Sequence, residues 1–157
     1  MSIQWKKLGI AIGVSLLAGL IGTIFTLEAI PTWYAGLVKP EFIPPNWLFG
    51  PVWTTLYIMM GVSLYIVWTS DKGLKLKRAA LWFFSLQLLL NTLWSVLFFG
   101  FKNPTLAFVE IIMMWISIAM TIFLFQKFSR VAAQLLVPYL LWVSFASVLN
   151  GAIMVLN

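Results

Sequence analysis

Three sets of side chains in this sequence are spaced to do more than fill space. Gln87, Asn91 and Ser95 recur every four residues in one apolar stretch, with Trp94 beside them. Trp53, Tyr57 and Gly61 keep the same step in a second stretch. Tyr139, Trp142, Ala146 and Asn150 share a face in a third, with small Ser147 and Gly151 adjacent. Such steps hold side chains on one helix face. Each face sets an aromatic ring beside polar or small neighbours. The matching chemistry is stacking on a flat π system, with a few hydrogen bonds to orient it. Taken singly, each polar position reads as interhelical glue, worth on average ~0.6 kcal/mol. Three such faces together describe a ligand cavity between helices.

Other chemistry is excluded by what is missing. The chain has no histidine and no cysteine. Serine–histidine and cysteine–histidine nucleophile pairs are therefore impossible, and so are thiolate metal sites and disulfides. We expect no metal site and no hydrolytic activity. Glu110 is the only acid well inside an apolar run. One turn from the start of that run, it is expected to snorkel to the interface or pair with Lys102. No chain of titratable groups accompanies it, so a proton relay is not supported.

A rigid segment borders these faces. Residues 31–57 hold five of the seven prolines: Pro31, Pro40, Pro44, Pro45 and Pro51. They also hold Trp33, Trp47, Trp53, Tyr34 and Tyr57. Each proline fixes φ and removes a backbone donor, and pushes the preceding residue towards extended backbone. Residues 38–45 should be stiff and mostly extended. Pro51 should sit in the first turn of the next helix, where its missing N–H is harmless. Interface anchoring alone does not need so stiff a backbone, so this segment reads as a lid.

The elements that carry these residues follow from composition. The 157 residues are 62% hydrophobic and 9% charged, with a mean hydropathy of +1.02. Water-soluble domains carry about 25% charged residues. Five apolar runs, 8–27, 47–69, 79–99, 105–126 and 131–156, reach the ~20 residues that cross a bilayer. The expected fold is all-α: one domain, 1–157, forming an integral membrane bundle of five transmembrane helices. The first run is too long for a signal-peptide core, and no small-residue cleavage site follows it. Within it, Gly9/Gly13 and Ala18/Gly22 have the spacing that lets helices approach closely, and are expected to pack within the chain.

The net charge is +6, with pI near 9.9. Its distribution speaks for membrane topology and not for a nucleic-acid partner. Lys6, Lys7, Lys72, Lys75, Lys77, Arg78, Lys127 and Arg130 fall on one side, and only Lys39 and Lys102 on the other. The positive-inside rule then puts the N-terminus in the cytoplasm and the lid and C-terminus outside, for a multi-pass protein of a bacterial cell membrane.

These motifs resemble the translocator protein family, also called the tryptophan-rich sensory protein (TspO/MBR) or peripheral-type benzodiazepine receptor family. The resemblance rests on Trp33-Tyr34-Ala35-Gly36-Leu37-x-Lys39-Pro40 and Pro44-Pro45-x-Trp47-x-x-Gly50-Pro51-x-Trp53-x-x-Leu56-Tyr57. It continues through Gln87-Leu88-x-x-Asn91-x-x-Trp94-Ser95, Phe98-Phe99-Gly100 and Pro138-Tyr139-x-x-Trp142-x-x-Phe145-Ala146-x-x-Leu149-Asn150. It implies a five-helix bundle, commonly a homodimer, with a pocket under the first loop. The implied ligands are tetrapyrroles, protoporphyrin IX and haem, and small molecules of the benzodiazepine-site type. No cofactor is required. It carries Tyr34, Pro44, Trp53, Asn91, Trp142 and Ala146 to the pocket, with Trp33, Trp47, Tyr57 and Tyr139 beside them. Gln87 and Trp94 join from the face described above, and Lys39 could meet a propionate at the rim. The implied roles are tetrapyrrole sensing, transport, or light- and oxygen-dependent breakdown of protoporphyrin IX. In the last, Trp53 and Trp142 are the candidate oxidisable side chains. One departure matters. The family's cholesterol motif follows the leucine–asparagine pair with tyrosine and arginine. Here Leu149-Asn150 is followed by Gly151-Ala152-Ile153, which counts against cholesterol as a partner.

Overall fold

The computed structural model describes residues 3–71 and 73–157; Lys72, counted above for orientation, lies outside them. Five long helices form the fold: α1 (Trp5–Ala29), α2 (Asn46–Trp68), α3 (Leu74–Ser95), α4 (Pro104–Gln126) and α5 (Arg130–Leu156). All five are long and apolar enough to cross a membrane. Helices suit this solvent because they satisfy their backbone groups internally. Their dominant contacts close a ring in the order α1–α2–α5–α4–α3. Consecutive α2 and α3 barely touch.

Two helix ends differ from the hydropathy expectation. α3 starts at Leu74, five residues before the apolar run, and includes Lys75, Lys77 and Arg78. Hydropathy finds the hydrocarbon-spanning part, whereas a helix continues into the interface while long basic side chains reach water. At the other end, Val96–Gly100 forms a π turn, in which the Phe101 N–H donates to the Val96 carbonyl at 2.8 Å. Asn103 then caps α4 by accepting from the Leu106 N–H at 3.0 Å.

Pro51 is a correction. α2 begins at Asn46, so Pro51 is its sixth residue and stands inside the helix, past the first turn. Its missing N–H deprives the Trp47 carbonyl of a helical partner.

Small residues set the tight crossings. Gly61 of α2 lies against the backbone of Ile12 in α1, and Gly19 of α1 against the Tyr57 ring. Gly22 faces Ser95 of α3. Gly9 and Gly13 meet nothing within 4 Å; this pair, expected to pack internally, faces outward. Hydroxyls tie further pairs together. Ser63 donates to the Ala132 carbonyl at 2.7 Å, and Thr92 to the Ala18 carbonyl at 3.0 Å.

At the basic end of the ring, the Lys7 ammonium lies 5.7 Å from the Trp68 ring centre. At the other end, residues 30–45 fold down as a lid with a core of its own. Tyr34 and Phe98 are buried there with Ala107, Leu149 and Ile153, and Trp33, Leu37, Ile43 and Phe49 pack around them. The lid contains a 3₁₀ turn at Tyr34–Gly36 and a turn closed by Ile43 N–H on the Pro40 carbonyl at 3.2 Å. Asn157 pins it: its amide oxygen accepts from the Val38 N–H and its amide nitrogen donates to the Val38 carbonyl, both at 3.0 Å.

Candidate functional site

Inside the ring, beneath the lid, is a cavity of about 350 Å³. α2 brings Phe49, Trp53 and Tyr57 to its wall; α3 brings Asn91, Trp94 and Ser95; α5 brings Trp142, Ala146 and Asn150. Helical steps of three and four explain each set. α4 adds Ile111 and Met114, and Tyr34 reaches in from the lid.

The aromatics are ordered against each other. Trp53 stacks on Tyr57, with ring centres 5.5 Å apart and planes at 26°. Trp94 stacks on Phe98 at 4.9 Å and 21°. Phe49 meets Trp142 edge-on at 5.7 Å. These are the offset and edge arrangements that the ring quadrupole favours.

A hydrogen-bond chain forms the floor. Tyr57 Oη donates to Asn91 Oδ1. Asn91 Nδ2 donates to Tyr139 Oη at 3.1 Å, and Tyr139 Oη donates to Met114 Sδ at 3.6 Å. Four helices, α2, α3, α5 and α4, are joined through this chain. Higher up, Trp94 Nε1 donates to Asn150 Oδ1 at 3.0 Å, and Asn150 Nδ2 donates to the Pro104 carbonyl at 2.8 Å. Both wall amides thus have protein partners. The Trp142 Nε1–H is different: it is buried without a partner among the described residues.

Seven of the twelve pocket residues expected from sequence line the cavity: Tyr34, Trp53, Tyr57, Asn91, Trp94, Trp142 and Ala146. Five do not. Trp33 packs in the lid core, edge-on to Phe98 at 5.6 Å. Trp47 is 72% exposed on the outside of α2. Pro44 belongs to the irregular lid segment just before α2. Tyr139 is fully buried one layer below, in the floor. Gln87 is 1% exposed, and both its amide atoms lack partners among the described residues. Lys39 is not at the cavity rim either. Its ammonium donates to the Ala35 and Leu37 carbonyls, both at 3.3 Å, and lies 4.9 Å from the Tyr34 ring centre. Burial raises the Tyr34 phenol above its ordinary value.

Glu110 neither snorkels nor pairs with Lys102. It is 1% exposed, and both carboxyl oxygens lack partners among the described residues. It shares the inward face of α4 with Ala107, Ile111 and Met114, which is why it cannot reach the interface. Burying such a group unpaired is costly.

Sequence reasoning missed the α1 wall: Gly19, Gly22, Thr23 and Thr26. Their small-residue and threonine spacing was a usable signal. Phe49 was findable as the residue one turn before Trp53. Ile111 and Met114 carried no signal, being apolar residues in an apolar helix.

The arrangement offers aromatic walls, amides already bonded within the protein and, among the described residues, no basic side chain in the lining. It suits a flat, largely apolar molecule and supplies no nucleophile–base pair. A comparison with known proteins agrees with this architecture. The TspO/MBR family model matches residues 11–156. The chain is 47% identical to the "Tryptophan-rich protein TspO" of Archaeoglobus fulgidus over 151 residues, covering 96% of this chain and 97% of that one. It is 36% identical to the "Protein CrtK" of Rhodobacter capsulatus over 140 residues, 89% and 86% of the two chains. It is 41% identical to the human "Translocator protein" over 119 residues, 75% and 70% of the two chains. With its five apolar helices, its aromatic cavity under a proline-rich lid and a match across nearly its whole length, the chain belongs to the TspO/MBR family of membrane proteins.

Proposed function

We propose that this protein binds a tetrapyrrole, protoporphyrin IX or haem, in the cavity beneath the lid. The observation that carries this reading is the wall itself: Trp53, Trp94 and Trp142 with Tyr34 and Tyr57 around about 350 Å³. Ligand sites span roughly 300–1,000 Å³ and are mostly apolar with few polar groups. Offset aromatic contacts contribute about 0.5–1.5 kcal/mol each beyond area burial. The Trp142 N–H, unpartnered among the described residues, would supply a donor to a ring or carboxylate acceptor. Light absorbed by the bound porphyrin, with dioxygen as oxidant, would then allow its breakdown beside Trp53 and Trp142.

Passage across the membrane is the second reading, prompted by the name of the human relative. The floor of Tyr57, Asn91, Tyr139 and Met114, with fully buried Met60 and Val67 further along α2, favours a closed binding cavity over a channel. For orientation we place the basic end in the cytoplasm. Gly9 and Gly13 leave α1 free to meet a second copy, in keeping with a homodimer.

The deciding experiment is a dark titration of the protein in lipid nanodiscs with protoporphyrin IX and with haem, followed by tryptophan quenching. Without histidine or cysteine the usual strong axial ligands are missing, so the two should bind with similar affinity. No saturable quenching by either would overturn the reading.

A further inference from the structure

The cavity is walled almost all round and open along one seam. Among the described residues that line it, six are exposed, and they fall into two stripes: Leu20, Thr23 and Leu27 on α1, and Asn46, Gly50 and Thr54 on α2. Steps of three and four make each stripe a single helix edge. The cause is the course of α1. It touches α2 where Ile12 meets Gly61 and where Gly19 meets Tyr57. Beyond that point it leans on α3 and the π turn, with Gly22 against Ser95 and Phe25 against Gly100. The upper halves of α1 and α2 therefore stand apart.

This seam lies within two membrane-spanning helices, so it faces lipid. Its hydroxyls are already engaged: Thr23 Oγ1 donates to the Gly19 carbonyl and Thr54 Oγ1 to the Gly50 carbonyl, each at 2.9 Å. What they present to the mouth is largely methyl surface. The end facing water is closed. Tyr34 and Phe98 are buried under the lid, Phe42 meets Phe145 edge-on at 6.4 Å, and Asn157 pins Val38.

We propose that the ligand enters sideways, from the lid-side leaflet of the bilayer, between α1 and α2. The occupant of the seam is a planar amphiphile already dissolved in lipid. Its ring slides between Thr23 and Thr54 while its polar edge stays near Asn46, the first residue of α2 and closest to the interface. This rests on the ligand-binding reading above.

Stopped-flow mixing of phosphatidylcholine proteoliposomes with protoporphyrin IX tests it. Thr23→Phe and Thr54→Phe each put a ring in the mouth from a different helix, at a lipid-facing position, so misfolding of one leaves the other to report. Each should slow both association and dissociation about tenfold, as a narrowed gate does. Asn157→Ala, which frees the lid, should leave the association rate within about twofold of the parent. Unchanged rates in both phenylalanine variants, or faster association in Asn157→Ala beyond that range, would show that the lid is the door and overturn the proposal. Weaker affinity at an unchanged association rate would make the seam a contact surface and also overturn it. A parent protein that gives no binding signal defeats the ligand reading itself, a result distinct from binding with unaltered rates.

Discussion

The amide of Asn157 makes a two-point pair with the backbone of Val38, both hydrogen bonds measuring 3.0 Å. The last turn of α5 thereby behaves like a short strand partner for the lid. Each bond contributes about 0.5–1.5 kcal/mol net. Asn157→Ala should therefore raise amide exchange at residues 37–43 by one to two orders of magnitude, while the rest of the bundle keeps its protection. Equal lid protection in parent and variant would show that the lid core holds without this clamp.

Asn91 is expected to matter for folding before it matters for ligand. Both atoms of its amide are engaged, by Tyr57 and Tyr139. Asn91→Leu leaves the Tyr57 phenol without its acceptor and the Tyr139 phenol with Met114 Sδ alone, in a low-dielectric site, at a cost of about 1–3 kcal/mol. The check is reversible unfolding in mixed micelles. A variant as stable as the parent but weaker in ligand binding would return Asn91 to a ligand-orienting role.

Gly61 should tolerate no side chain. A Cβ there would strike the backbone of Ile12, which cannot swing away as a side-chain tip can. Gly61→Val should cost about 1–3 kcal/mol through overpacking, and should part α1 from α2. Gly9→Val, where nothing lies within 4 Å, is the contrasting substitution and should be near neutral in a monomer. The pair can be compared by thermal unfolding.

Trp53 and Trp142 differ in a way that separates the roles proposed for them. Trp53 is stacked on Tyr57; the Trp142 N–H has no partner among the described residues. Phenylalanine retains a stacking face but loses the indole donor. Trp142→Phe should lower dark affinity more than Trp53→Phe, and either should slow light-driven loss of bound protoporphyrin absorbance. The measurement is bleaching rate per bound porphyrin under air. Parent-like bleaching in both variants at saturating ligand would remove these indoles from the chemistry.

The basic asymmetry predicts orientation. Reporter fusions after Asn157 should be active outside the cytoplasm and those in the 70–73 loop inside it, following the positive-inside rule. The reverse pattern would overturn the assignment.

The sequence by itself determined the five spans, because bilayer thickness demands a run length and lipid demands a satisfied backbone. It also determined that Trp53 and Tyr57 share a face, as do Trp142, Ala146 and Asn150, since helical periodicity is local. Periodicity gives the face and not the depth. Gln87 lies one turn, about 6 Å, further from the lid than Asn91. Asn91 is already in the floor, so Gln87 falls beneath the cavity. Trp47 lies six residues before Trp53, about 120° round the helix, and so faces outward. The tertiary structure alone decided the ring order α1–α2–α5–α4–α3, and with it the partners of Asn91, the burial of Glu110 and the open α1–α2 seam. Those depend on where one helix leans against another. In lipid that choice is made by small residues such as Gly19, Gly22 and Gly61 meeting particular partners, a pairing that no single helix encodes.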